Sequence, residues 1–190
     1  MIISRSFMKT AMLVSMMMGS WHFAHATWIY CKAYAASFLI HDAWLATLHN
    51  KDVNKPWSWA DTWPVADIAI PSIDLKEIIL SGDSGASLAF GPGLSLAGDD
   101  LDGNGVKLIS GHRDTHFRKL QHININDVIF IKTAKGIRQY RVKDIGVVDG
   151  ETYWIDNIDA DYDLILTTCY PFDALSASGK QRFIVGTIEV

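Results

Sequence analysis

The sequence predicts a small, mainly β domain, a closed or nearly closed barrel with short helices, preceded by an N-terminal membrane helix. Two observations predict the barrel. From Val65 onward, short β-prone runs recur at near-regular spacing with turn residues between them, and few stretches there read as helix. A third observation predicts the membrane helix: the 22 residues Thr10–Cys31 carry no formal charge and follow Arg5 and Lys9.

With a membrane segment set aside, the 190-residue chain has length for one domain with a sizeable core. A formal charge of −4 without any basic run argues against nucleic acid as a partner. Two cysteines make no disulfide framework. Cys31 sits in the apolar N-terminal region, far along the chain from Cys169.

Taken as a helix, residues 10–31 span about 33 Å at 1.5 Å per residue, close to one bilayer core. His22 and His25 weaken its apolarity, and Ala24-His25-Ala26 also reads as a signal-peptidase site. Arg5 and Lys9 hold the N-terminus in the cytoplasm by the positive-inside tendency, which points the rest of the chain into the periplasm. Residues 32–64 follow as an amphipathic helix and a linker rich in Trp and Pro. Tyr34, Phe38, Leu45 and Leu48 fall on related turns of that helix. Trp57, Trp59 and Trp63 are expected to pack the linker onto the barrel rather than to form an interfacial belt.

Residues 65–190 supply the barrel. The strand-like runs are 66–70, 77–80, 106–111, 127–133, 137–148, 163–169 and 182–190. Residues 83–90 read as a short helical turn that Gly91-Pro92-Gly93 stops. Asp100-Leu101-Asp102-Gly103-Asn104-Gly105 copies the first half of a calcium loop, but Gly111 stands at its twelfth position, so a turn explains it better and no metal is assigned.

Three groups of complementary chemistry stand at the ends of β-prone runs: Cys169, His112 and Arg182. A lone cysteine after an apolar run is usually an inert small hydrophobe. Paired with an imidazole and a guanidinium, it reads instead as a thiol nucleophile with a proton-transfer group and an oxyanion stabiliser. His116, four residues after His112, opens a zinc reading, but Arg113 replaces the glutamate a metalloprotease needs and no third ligand is evident. Asp114 can orient His112 or cap the turn.

Leu166-Thr167-Thr168-Cys169 resembles the Thr-Leu-x-Thr-Cys signature of sortases, with Ile165 where the family usually has its first Thr. Gly111-His112-Arg113-Asp114-Thr115-His116-Phe117, Cys169-Tyr170-Pro171-Phe172-Asp173, Lys55-Pro56-Trp57-Ser58-Trp59-Ala60-Asp61 and Leu88-Ala89-Phe90-Gly91-Pro92-Gly93 are similar to the sortases of Gram-negative marine proteobacteria. The resemblance runs from about Cys31 to the C-terminus. It implies an eight-stranded barrel with the site at strand ends, and an anchor that is not cleaved. It also implies a membrane-anchored cysteine transpeptidase without cofactor, with Cys169, His112 and Arg182 as its catalytic residues.

Such an enzyme cleaves a Leu-Pro-x-Thr-Gly-like sorting signal at the C-terminus of a surface or secreted protein, holds the acyl part as a thioester, and passes it to an amine. Thr168, Tyr153, Trp154 and Tyr170 are the expected substrate contacts. The expected location is the inner membrane, single-pass, with the catalytic domain in the periplasm. Two other readings stand beside it: a processing protease that hydrolyses the same intermediate, and a catalytically silent anchored binding module.

Overall fold

The computed structural model describes residues 5–150, 161–174 and 179–190. The chain divides into two compact units, Met1–Phe38 and Leu39–Val190. Tyr153 and Trp154 lie outside the described residues.

One helix, α1 (Arg5–Asn50), runs through the stretch read from sequence as an anchor followed by a second helix. No proline interrupts it, and Gly19 is its one glycine. Large apolar side chains such as Met12, Leu13, Met17, Trp21 and Phe23 are exposed along its first half. Among the described residues, however, no helix is both long enough and apolar enough to cross a membrane. Length is not what fails. Gly19, Ser20, His22, His25 and Thr27, together with the amphipathic rings of Trp21, Trp28 and Tyr30, dilute the apolarity of the run.

In the last turns of α1 the buried stripe is Ile40, Ala43, Trp44 and Thr47, a helical i, i+3, i+4, i+7 pattern. It is not the stripe read from sequence: Tyr34, Phe38 and Leu45 are exposed. Trp44 is 3% exposed, and its indole Nε1 donates to the Asp67 carboxylate at 3.2 Å. The helix ends where Lys51 adopts φ +64 and its backbone N–H returns to the Thr47 carbonyl.

Among the described residues, eight strands close into a barrel. They are β1 (Pro64–Ile70), β2 (Leu75–Ser81), β3 (Gly93–Leu94), β4 (Lys107–Ser110), β5 (Val128–Lys132), β6 (Ile137–Asp149), β7 (Leu164–Cys169) and β8 (Gln181–Glu189). Their order around the barrel is β1-β2-β3-β4-β7-β8-β6-β5, and β5 pairs back onto β1. Pairings β2–β3 and β4–β7 are parallel; the rest are antiparallel. β1 shows the alternation that made strands legible, with Pro64, Ala66, Ile68 and Ile70 inward. Ile68, Ile79, Ile109, Tyr140, Leu166 and Val185 belong to one continuous core.

The helical turn expected over residues 83–90 is α2 (Gly85–Leu88), capped by the Ser84 hydroxyl, which accepts from the Ser87 backbone N–H. Strand β3 was not expected, and it supplies the eighth staff of the barrel. The linker tryptophans divide. Trp57 meets Phe90 edge-on at 5.6 Å, Trp63 lies under the Lys55 ammonium, and Trp59 is exposed.

The half-calcium motif is a turn held by its own carboxylates. Asp99 accepts from the Gly105 and Asp100 backbones, Asp100 accepts from Leu101, and Asp102 binds Thr133 and Lys135.

Trp44 fixes the end of α1 to β1 through a large buried ring and one hydrogen bond. Trp44→Ala is expected to cost about 3–5 kcal/mol of unfolding free energy. Chemical denaturation of the wild type and the variant measures it, and a loss below about 1 kcal/mol would show that the helix end is not seated on the barrel.

Candidate active site

Register explains how three distant residues meet. β7 and β8 are antiparallel, and Cys169 is the direct partner of Arg182 across that pair. On its other side β7 runs parallel to β4, with Ser110 level with Thr167. The chain leaving β4 therefore delivers Gly111 and His112 beside Thr168 and Cys169. Two bonds fix this exit. The Gly111 N–H donates to the Thr167 carbonyl at 3.1 Å, and the Thr168 hydroxyl donates to the Gly111 carbonyl at 2.7 Å.

Cys169, His112 and Arg182 line one cleft of 210 Å³, with Asp83, Leu88, Ser110, Gly111, Thr167 and Thr168 as its other walls. The structure thus brings the three sequence-predicted residues to one place. Cys169 is a free thiol of intermediate exposure. Arg182 Nη1 donates to the Gly179 and Gln181 carbonyls at 2.8 and 3.0 Å, which anchors its guanidinium at the cleft edge.

The proposed substrate contacts fare unevenly. Thr168 borders the cleft, but it is 3% exposed and its hydroxyl is committed to Gly111. Tyr170 stacks on Phe183 at 6.4 Å, while Phe172 meets Phe183 edge-on at 5.1 Å, so its ring belongs to an aromatic cluster next to Cys169. The two remaining expected contacts, Tyr153 and Trp154, fall outside the described residues.

Gly111 is needed for a close approach. A Cβ there would stand 2.6 Å from the ring of Phe117, which is fully buried. The same loop resolves what sequence left open. His116 Nδ1 pairs with the Glu77 carboxylate at 3.1 Å, and so ties the loop to β2. Asp114 does not reach for the imidazole; it grips Arg113 through Nε and Nη2 at 2.8 and 3.2 Å.

Sequence reasoning missed Arg113 and Asp83. Arg113 was noted only as the residue replacing a metalloprotease glutamate, although its neighbour Asp114 already offered a carboxylate partner. Asp83 was placed on a helical turn, and nothing in the pattern showed that this turn closes one side of the cleft. Its carboxylate accepts from the Ser110 hydroxyl at 3.3 Å.

A second hollow of 180 Å³ opens on the same face of the sheet, lined by Ile165, Ile184, Gly146, Gly186, Tyr162, Asp144 and Ile145. Ile165, Thr167 and Cys169 share that face by strand alternation, as do Arg182, Ile184 and Gly186. Ile165 and Gly186 are direct partners.

Comparison with known proteins agrees with this geometry. Residues 68–189 match the family model for the sortase domain. Sortase D of Bacillus subtilis (strain 168) is 31% identical over 120 residues, which cover 63% of this chain and 61% of that protein. Among solved structures, sortase A from Corynebacterium diphtheriae superposes with a TM-score of 0.60 at 26% identity, covering 70% of this chain and 63% of that one. A sortase D5 transpeptidase from Clostridium perfringens shares the fold, with a TM-score of 0.63 at 19% identity over 83% of this chain and 99% of that one. The chain spans less than two thirds of the length of sortase D and of the C. diphtheriae enzyme. With the family model covering most of its length and the barrel closing in the same way, the chain belongs to the sortase family.

Proposed function

We propose that this protein is a cysteine transpeptidase that cleaves a Leu-Pro-x-Thr-Gly-like sorting signal and transfers the acyl part to an amine. The observation that carries the reading is the cross-strand pair of Cys169 and Arg182, with His112 at the adjoining strand exit, around one cleft. In this reaction the Cys169 thiolate attacks the carbonyl carbon between Thr and Gly. Arg182 holds the resulting oxyanion, as a permanently charged planar donor is suited to do. His112 gives its proton to the departing Gly amine, leaving a thioester on Cys169. An acceptor amine then loses a proton to His112 and attacks the thioester, and the thiolate departs.

The second hollow supports a substrate bound in extended form. Ile165 lies four positions before Cys169, about 13 Å along a strand. An extended peptide with its Thr carbonyl at Cys169 places its Leu, three residues earlier, about 10 Å away, from where its side chain reaches toward the hollow. The apolar side chain then meets Ile165 and Ile184, in space that Gly146 leaves open.

Location is part of the proposal. Arg5 and Lys9 at the start of α1, and exposed apolar side chains along its first half, support attachment at the inner membrane with the barrel in the periplasm. The partner is a surface or secreted protein carrying the signal near its C-terminus.

Cys169→Ala and His112→Ala are expected to abolish turnover of a signal peptide. Arg182→Ala should lower kcat by about 10²–10³-fold, with poor rescue by lysine. Added oligoglycine should speed turnover and appear in the product by mass. A Cys169→Ala enzyme that still cleaves sinks the assignment; hydrolysis indifferent to every amine in a panel leaves a processing protease instead.

For the hollow, Gly146→Val should cut kcat/KM about tenfold or more for a signal with leucine, and much less for one with alanine in its place. Equal losses on both peptides would remove the hollow from the substrate path.

Protease added to spheroplasts should digest the barrel, and membranes washed with carbonate should retain the intact chain. Release by carbonate would reduce the helix to a peripheral contact, and protection from protease would reverse the orientation.

A further inference from the structure

Arg113 is 3% exposed, and its guanidinium joins two segments of chain that are distant in sequence. Nη1 donates to the Pro171 carbonyl at 2.7 Å and Nη2 to the Ala174 carbonyl at 3.1 Å. Nε and Nη2 also reach the two Asp114 oxygens. One end of this clamp is the residue next to His112; the other is the turn directly after Cys169. A buried guanidinium with its donors engaged is a rigid spacer, because moving either segment would strand a charge away from water.

We infer that Arg113 is a positioning residue, which fastens the chain after the nucleophile to the chain bearing the histidine and so sets the gap between Cys169 and His112. The inference rests on reading Cys169 as the nucleophile. The strand pairings alone leave this gap adjustable. Gly111 and Thr168 tie β4 to β7 on the strand side of the site. Beyond the exit the His112 carbonyl accepts from the Phe117 and Thr115 N–H groups, and His116 holds Glu77, but none of these bonds reaches the chain after Cys169. Arg113 adds the restraint from the far side, beyond Cys169.

Electrostatics agrees with this geometry. The hydrogen bond from Arg113 holds the Asp114 carboxyl below the usual carboxylate range, with His112 and Arg118 adding to the effect. The hydrogen bond to Asp114 raises Arg113 in turn, and Cys169 and Asp173 also favour its charge. Because the Asp114 value is lowered on folding, the pair is intact above the ordinary carboxylate pKa and fails only as pH falls through the lowered value. Between about pH 6 and 9 the clamp therefore stays charged. Any change in profile there belongs to Cys169 and the groups around it: His112 from β4, Arg182 from β8, Asp83 beside α2, and Arg113, Asp114 and Asp173 from the two clamped segments.

The experiment compares the full chain with Arg113→Met, Arg113→Lys and Asp114→Asn. Turnover is measured on a signal peptide. Alkylation by iodoacetamide is followed at Cys169 by peptide mass across pH, since Cys31 is also exposed. Wild-type alkylation needs no substrate, so an error in the assigned reaction shows as missing turnover by the wild type and not as a failed clamp.

Arg113→Met should lower kcat by about 10²-fold with KM nearly unchanged, as expected when reacting groups are misplaced by about 1 Å. The alkylation profile across pH should differ from that of the wild type. Arg113→Lys, which keeps the charge but not the fork, should fall between. Asp114→Asn should do least, because both carbonyl bonds survive. A folded Arg113→Lys with wild-type kcat and alkylation profile overturns the proposal, whether or not Arg113→Met folds. So does an Asp114→Asn variant as damaged as Arg113→Met, which would place the effect in the carboxylate and not in the clamp.

Discussion

The hydrogen bond from the Thr168 hydroxyl to the Gly111 carbonyl, with both residues buried, holds the site to the barrel. It joins the exit of β4 to β7 just before Cys169, in a parallel pair where the ladder is running out. Side chains along β7 alternate, so Leu164, Leu166 and Thr168 turn inward while Ile165, Thr167 and Cys169 share the outer face. A slip of one residue would send the thiol into the core and a leucine into the cleft. Pairing on both edges of β7, to β4 and to β8, makes that slip costly and keeps Cys169 opposite Arg182.

Much of the barrel was legible because its strands are short and β-branched, with an alternating pattern. Strand β3 was not legible. Gly91-Pro92-Gly93 reads as a stop signal, yet here the glycines serve close packing. A Cβ on Gly93 would stand 2.3 Å from the Gly82 carbonyl oxygen, and one on Gly91 would stand 2.8 Å from that of Ile78. The Pro92 carbonyl meanwhile accepts from the Leu80 N–H. The residues that usually break a strand allow one to form here, because the parallel neighbour passes so near.

The three residues that meet in the cleft were legible by type, and their supports were not. Cysteine, histidine and arginine announce themselves by type and by their places at strand ends. Arg113 does not, because its partners are carbonyls of Pro171 and Ala174, and backbone acceptors leave no trace in sequence. The helix face that packs on the barrel was not legible either. Tyr34, Phe38 and Leu45 make a good apolar stripe, but burial follows the smaller Ala43 and Thr47 around Trp44, since small residues let a helix approach a sheet closely. Ile165, the departure from the usual signature, lies on the same face as Cys169 and pairs in register with Gly186, over which the Tyr162 ring sits.

Two guanidiniums stand near the thiol, and their surroundings separate their roles. Arg182 donates through one nitrogen to the carbonyls of Gly179 and Gln181. At the cleft it brings a positive charge, with the Asp83 carboxylate on another wall. Arg113 is bound face to face with Asp114, so seen from Cys169 the pair is close to a dipole, with a shorter-ranged field. In the proposed reaction an oxyanion gains more from the first kind of group than from the second. What the second provides, in the clamp we propose, is place: a buried fork that holds the two segments beside His112 and Cys169 at one separation.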